Sequence, residues 1–209
     1  MREPTPSPLP VYLPHNEPYL GNEWLLAFDR AIPPSMEVHT KVGKRTFVSS
    51  LSPLQVAATE IIPQGVSIAL SIRELVRQGY LYSAAILIRP LVERTGTIQY
   101  LQKNPGAVEA WRSGWPRKAQ PQFDDLLELL HPNVTDAEQN ILRTLLHKLV
   151  HSDPAGSVYN MLKRNDGVLV FSSGKVIDHP LLCDAVCLAG RCYLQMLNRI
   201  AREVFPDAV

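Results

Sequence analysis

Arg143, His147 and His151 follow one another at four-residue spacing in the segment TDAEQNILRTLLHKLVHSD, and Arg89 and Glu93 share that spacing in LIRPLVE. These residue types suit proton transfer and phosphate chemistry. Histidine titrates near neutrality and can take or return a proton. The planar arginine fork matches phosphoryl oxygens and the charge they gather in a transition state. RNA cleavage without a metal needs a base for the 2′-hydroxyl, an acid for the leaving oxygen and a cation on the phosphorane. A glutamate beside a histidine would favour the imidazolium. The pair in HKLVH could also grip a metal. It lacks the glutamate that follows the first histidine in zinc-protease helices, and no third ligand is indicated, so neither a metal nor a cofactor is expected.

On a helix turning about 100° per residue, His147 and His151 lie about 40° and about 80° from Arg143. The three form one polar stripe bordering an apolar arc of Ile141, Leu142, Leu145, Leu146, Leu149 and Val150. Such a stripe faces either a cleft or plain solvent. Arg89 and Glu93 lie in a helix that is apolar nearly all round, where charged groups need partners. They can pair with each other, and further hydrogen bonds could come from Arg143, His147 or His151 if the two helices pack together. Pro90 marks a joint within the helix of Arg89 and Glu93, turning it so that its two ends address different neighbours. The plain alternative is a structural Arg–Glu clamp.

A third group is WRSGWPRK, where Trp111 and Trp115 interleave with Arg112, Arg117 and Lys118. Aromatic faces among cations can stack bases and hold phosphates; tryptophans also simply anchor loops to a core.

The elements that must position these residues are helical. Thr135 and Glu138 form a T-x-x-E capping box for the helix carrying Arg143, which Pro154 ends. Ser52-Pro53 caps a helix running to Tyr80, with a break or kink near Pro63 and Gly65. A second long helix follows from Gly79 to Asn104 and stops at Pro105. A shorter one spans QFDDLLELLH, ended by Pro132, and the last runs from Asp178 and Pro180 to Pro206. NEWLLAFDRAI (22–32) predicts a short amphipathic helix stopped by Pro33-Pro34. MEVHTKVGKRTFVSS (36–50) and GVLVFSSGKVID (167–178) read as hairpins. The fold class expected is therefore mainly all-α: a bundle of about five long helices with one or two short β-hairpins.

Residues 1–18 hold six of the eighteen prolines and read as an extended arm, leaving 19–209 as one domain. A net charge of +1, with 20% charged and 45% hydrophobic residues, removes any global drive toward nucleic acid or anionic membrane. No apolar run is long enough for a membrane span. Cys183, Cys187 and Cys192 cluster near one end, unlike a disulfide framework, and read as small core residues. A cytoplasmic protein is expected.

LIRPLVE followed by LHKLVHSD resembles a pattern in uncharacterised bacterial proteins related to the HEPN (higher eukaryotes and prokaryotes nucleotide-binding) superfamily, over roughly residues 52–155. The resemblance implies a helical domain acting as a homodimer or complex subunit. Active members are metal-independent ribonucleases, often toxins or antiviral effectors, using an Arg and a His across a dimer interface. By that resemblance Arg143 would match the arginine and His147 or His151 the histidine, the family's usual separation falling between the two. Arg89 and Glu93 would match a supporting polar helix. Two functions follow as expectations: an RNA-cleaving effector, or a non-catalytic subunit binding a nucleotide or protein within a defence or regulatory complex.

Overall fold

In the computed structural model, residues 17–47, 50–116, 120–150, 161–163, 169–171, 174–176 and 178–208 are described. The architecture is all-α. Its helices are α1 (Glu23–Thr46), α2 (Pro53–Arg77), α3 (Leu81–Ile86), α4 (Ile88–Lys103), α5 (Val108–Arg112), α6 (Phe123–Leu130), α7 (Asp136–Val150) and α8 (Pro180–Val204). A 3₁₀ turn at Pro105–Ala107 leads into α5. Among the described residues no helix is long and apolar enough to cross a membrane.

The centre is built by α2, α4 and α8, whose facing surfaces bury Ile72, Leu91, Ile98, Leu194, Leu197 and Ile200. α1 lies along α8 in parallel. Asn22 donates to Asp184 at 2.7 Å near one end, Asn198 donates to Ser35 midway, and Arg45 pairs with Asp207 at the other. The cysteines of α8 belong to this core: Cys183 and Cys187 are buried with sulfurs 4.0 Å apart, and Cys192 is half-buried. The hydrogen bond shared with Cys183 and burial push the Cys187 thiol far up, which keeps it protonated.

Sequence signals for helix starts hold where side chains supply the caps. Ser52 and Gln55 close a reciprocal capping box at α2, and Thr135 with Glu138 does so at α7. Pro90 also acts as foreseen. It cannot donate to Ile86 and its ring crowds that carbonyl, so α3 ends and α4 begins around Leu87.

Elsewhere packing outweighs local propensity. α1 continues through Pro33-Pro34 to Thr46, so the predicted stop and the hairpin at 36–50 are both overturned. Its buried stripe of Leu25, Phe28, Ala31, Ser35, Val38 and Val42 runs past the prolines, which sit on the exposed face. Burying that stripe against α8 exceeds the roughly 3 kcal/mol that an interior proline costs. α2 likewise continues through Pro63 as one helix.

The hairpin over 167–178 is not seen either. Leu169–Phe171 pairs backward, antiparallel, with Met161–Lys163. Residues 174–176 are drawn into the helical core instead: the Val176 amide donates to the Gly79 carbonyl at 2.8 Å, and its carbonyl accepts the Tyr19 hydroxyl at 2.6 Å. Most of the Pro-rich arm, residues 1–16, lies outside the described residues, as does the predicted stop at Pro154.

His131, which caps the end of α6, shares a 2.9 Å hydrogen bond with the Tyr193 hydroxyl on α8. Burial lowers its pKa below 6.5 and does the same for His39 on α1. With depressed folded-state values, the unfolded chain takes up protons first. The stability these two neutral rings contribute is therefore complete above about pH 6.5 and lost as pH falls through their lowered values. Melting temperature should hold steady from about pH 7.5 to about pH 6.5 and then decline. His131→Asn should make that decline shallower; an unchanged slope would exclude His131 as a contributor.

Candidate functional site

One face of α4 carries Arg89, Glu93 and Thr97 at successive turns, with Arg94 beside them. The opposite faces bury Leu91, Val92, Thr95 and Ile98 in the core. Two glycines bring neighbouring helices unusually close to this face. A Cβ on Gly96 would lie 2.7 Å from the Leu126 Cβ, so α6 is held tight against α4. A Cβ on Gly65 would lie 2.6 Å from Leu197 and 3.6 Å from the Arg94 Cβ, which records the close approach of α2 to α8 and α4.

These approaches create a cleft of about 540 Å³, within the range of roughly 300–1,000 Å³ found for small-molecule sites. α4 provides Arg89, Glu93, Arg94 and Thr97, and α2 provides Ile61 and Gln64. Trp111 and Trp115 come from α5 and the turn after it. Gln120, Pro121, Gln122, Phe123 and Leu126 close the other side at the start of α6.

Arg89 donates from Nε to Glu93 Oε1 at 3.1 Å, and its guanidinium lies 4.6 Å from the centre of the Phe123 ring. The ion pair and the cation–π contact hold the side chain, at 19% exposure, while Glu93 compensates its charge. The predicted pairing of Arg89 with Glu93 is thus present. The further partner of Arg89 is an aromatic ring on α6, where the sequence suggested Arg143 or a histidine on α7. Arg94 donates from Nε to Gln64 Oε1 at 2.9 Å.

The tryptophans are fixed by their own turn. The Trp115 amide donates back to the Ala110 carbonyl at 2.8 Å. This closure needs left-handed backbone at Gly114 (φ 85°) and Trp115 (φ 45°). A bulky residue in that region is uncommon and costs of order 1–3 kcal/mol, a cost often met at ligand clamps. Tyr100 meets the Trp115 ring edge-on with centroids 6.1 Å apart.

The other predicted residues lie elsewhere. Arg143 is exposed, donating to Asp124 at 2.8 Å and to Asn140 at 2.5 Å. With Leu127, Asp136 and Gln139 it lines a separate hollow of about 300 Å³. Phe123 and Leu126 face the cleft while Asp124 and Leu127 face this hollow, so α6 stands between the two. His147 is exposed one turn beyond Arg143, and Arg112 is exposed outside the cleft lining. His151, Arg117 and Lys118 lie outside the described residues.

The sequence reading thus found both halves of the cleft, Arg89/Glu93 and Trp111/Trp115, without joining them. It missed Gln64, Arg94 and Phe123. Arg94 was visible as a second cation beside Glu93, and Phe123 as an aromatic opening a short acidic helix. Gln64 carried no local signal. Compared with family models, curated proteins and solved structures, the chain matches none.

Proposed function

We propose that this chain is a non-catalytic, HEPN-like nucleotide-binding protein whose site is the cleft between α2, α4 and α6, serving a defence or regulatory complex. One observation carries the reading: Arg89/Glu93 and Trp111/Trp115, distant in sequence, line the same cleft. Aromatic faces beside cations suit bases joined to phosphates. The HEPN resemblance of residues 52–155 points the same way. The ribonuclease alternative needs Arg143 with His147 or His151 as its reacting groups, supported by Arg89 and Glu93. Arg143 belongs to a different hollow and is engaged by Asp124 and Asn140.

The test pairs two assays on purified protein. Mononucleotides and short single-stranded RNAs are titrated while tryptophan fluorescence is followed. RNA is then incubated with the same protein in the absence of metal. Saturable quenching with intact RNA is expected. Cleavage abolished by Arg143→Ala and by either His147→Ala or His151→Ala would instead establish the ribonuclease and displace the binding reading.

A further inference from the structure

The polar groups of the cleft are unequally occupied, and the inequality defines a ligand. This step rests on the nucleotide reading above. Arg89 is neutralised by Glu93 and stacked on Phe123, so it has little charge left to offer. Arg94 is held by the neutral amide of Gln64 and forms no ion pair among the described residues. It is the cation of the described lining left to meet an anion. Glu93 gives Oε1 to Arg89, while Oε2 has no partner among the described residues; its side chain is 37% exposed. An ionised carboxylate only accepts hydrogen bonds, and each oxygen can take more than one.

We infer that the cleft selects guanine nucleotides, with Glu93 receiving the Watson–Crick edge of the base, Arg94 the phosphate and Trp111 a face of the ring. Guanine alone among the common bases presents two adjacent donors, N1–H and the N2 amine, on that edge. Two parallel N–H bonds then reach one carboxylate. Adenine and cytosine set a ring-nitrogen acceptor beside their amine, which a carboxylate repels. Uracil flanks its single N–H with two carbonyls. A bidentate contact of this type discriminates against a wrong base by about tenfold or more. The phosphate is required in either source, a free nucleotide or a guanosine within a single strand.

The experiment titrates GMP, IMP, AMP, CMP and UMP, together with single-stranded RNA trimers with central G or A, against the folded parent, Glu93→Gln and Arg94→Gln. GMP should exceed AMP by about tenfold, with IMP, which lacks the N2 amine, falling between them. Glu93→Gln should bring GMP and AMP close to equality, and Arg94→Gln should weaken both alike. A preference for G confined to the trimers would support the same recognition with RNA as its source. Equal binding of GMP, IMP and AMP, and of the two trimers, overturns the inference while leaving the nucleotide reading intact. No binding of any nucleotide or trimer overturns both. The IMP comparison uses the parent alone, so it remains decisive even if Glu93→Gln leaves Arg89 unpaired and the variant misfolds.

Discussion

Phe28→Ala should cost about 3–5 kcal/mol of stability, roughly a fifth or more of what a domain of this kind commonly has. The ring is fully buried between α1 and α8 and lies over Gly190. A Cβ at Gly190 would come within 2.7 Å and 2.8 Å of two Phe28 ring carbons and 3.5 Å of an Ile72 methyl. The aromatic ring therefore fits because residue 190 has no side chain. Gly190→Ala should consequently destabilise the parent, overpacking costing about 1–3 kcal/mol against roughly 1 kcal/mol gained in helix propensity. In a Phe28→Ala background the same methyl enters vacated space, and Gly190→Ala should become stabilising. Urea denaturation of the parent, both single variants and the double variant measures that change of sign. An equal effect of Gly190→Ala in both backgrounds would show that the ring does not limit the approach of these helices.

On the proposed function, Trp111→Ala should weaken nucleotide binding by about tenfold to about a hundredfold, the loss expected for one base–aromatic stack. The side chain lines the cleft and also packs against the core, so the alanine variant should melt at a lower temperature as well. Trp111→Phe separates the two effects. It keeps an aromatic face and much of the packing, and should bind within about threefold of the parent. Calorimetric titration of both variants, each checked for helical content, gives the comparison. Parent-like affinity in the folded alanine variant would remove Trp111 from the site.

The sequence was most informative where one residue acts on its own backbone. Ser52 and Thr135 cap the helices they were expected to cap, and Pro90 interrupts a helix because its ring and missing N–H act on the preceding turn. Pro33 and Pro34 misled because their cost is local, whereas the gain from burying Leu25 through Val42 depends on a helix far along the chain. The segment around Gly174 misled for a related reason: the bonds that organise it go to Gly79 and Tyr19, not to a neighbouring strand. The Arg89–Glu93 pair was legible because four-residue spacing makes helical neighbours. Its union with Trp111 and Trp115 was not, because it depends on how tightly Gly96 lets Leu126 approach. That same packing places α6 between the cleft and Arg143.

The parallel pairing of α1 with α8 also sets a timetable for biogenesis. Asn22 and its partner Asp184 are 162 residues apart. At translation rates of about 5–20 residues per second, α1 leaves the ribosome roughly 10–30 s before the helix that covers it. During that interval α2 supplies only part of α1's native surroundings, such as the pairing of Arg73 with Asp29, and the side of the stripe through Phe28 and Val38 that packs on α8 stays open. Closing so long a loop is also entropically late in folding. The nascent chain thus displays a half-covered apolar helix for much of its synthesis, the kind of surface that holding chaperones engage.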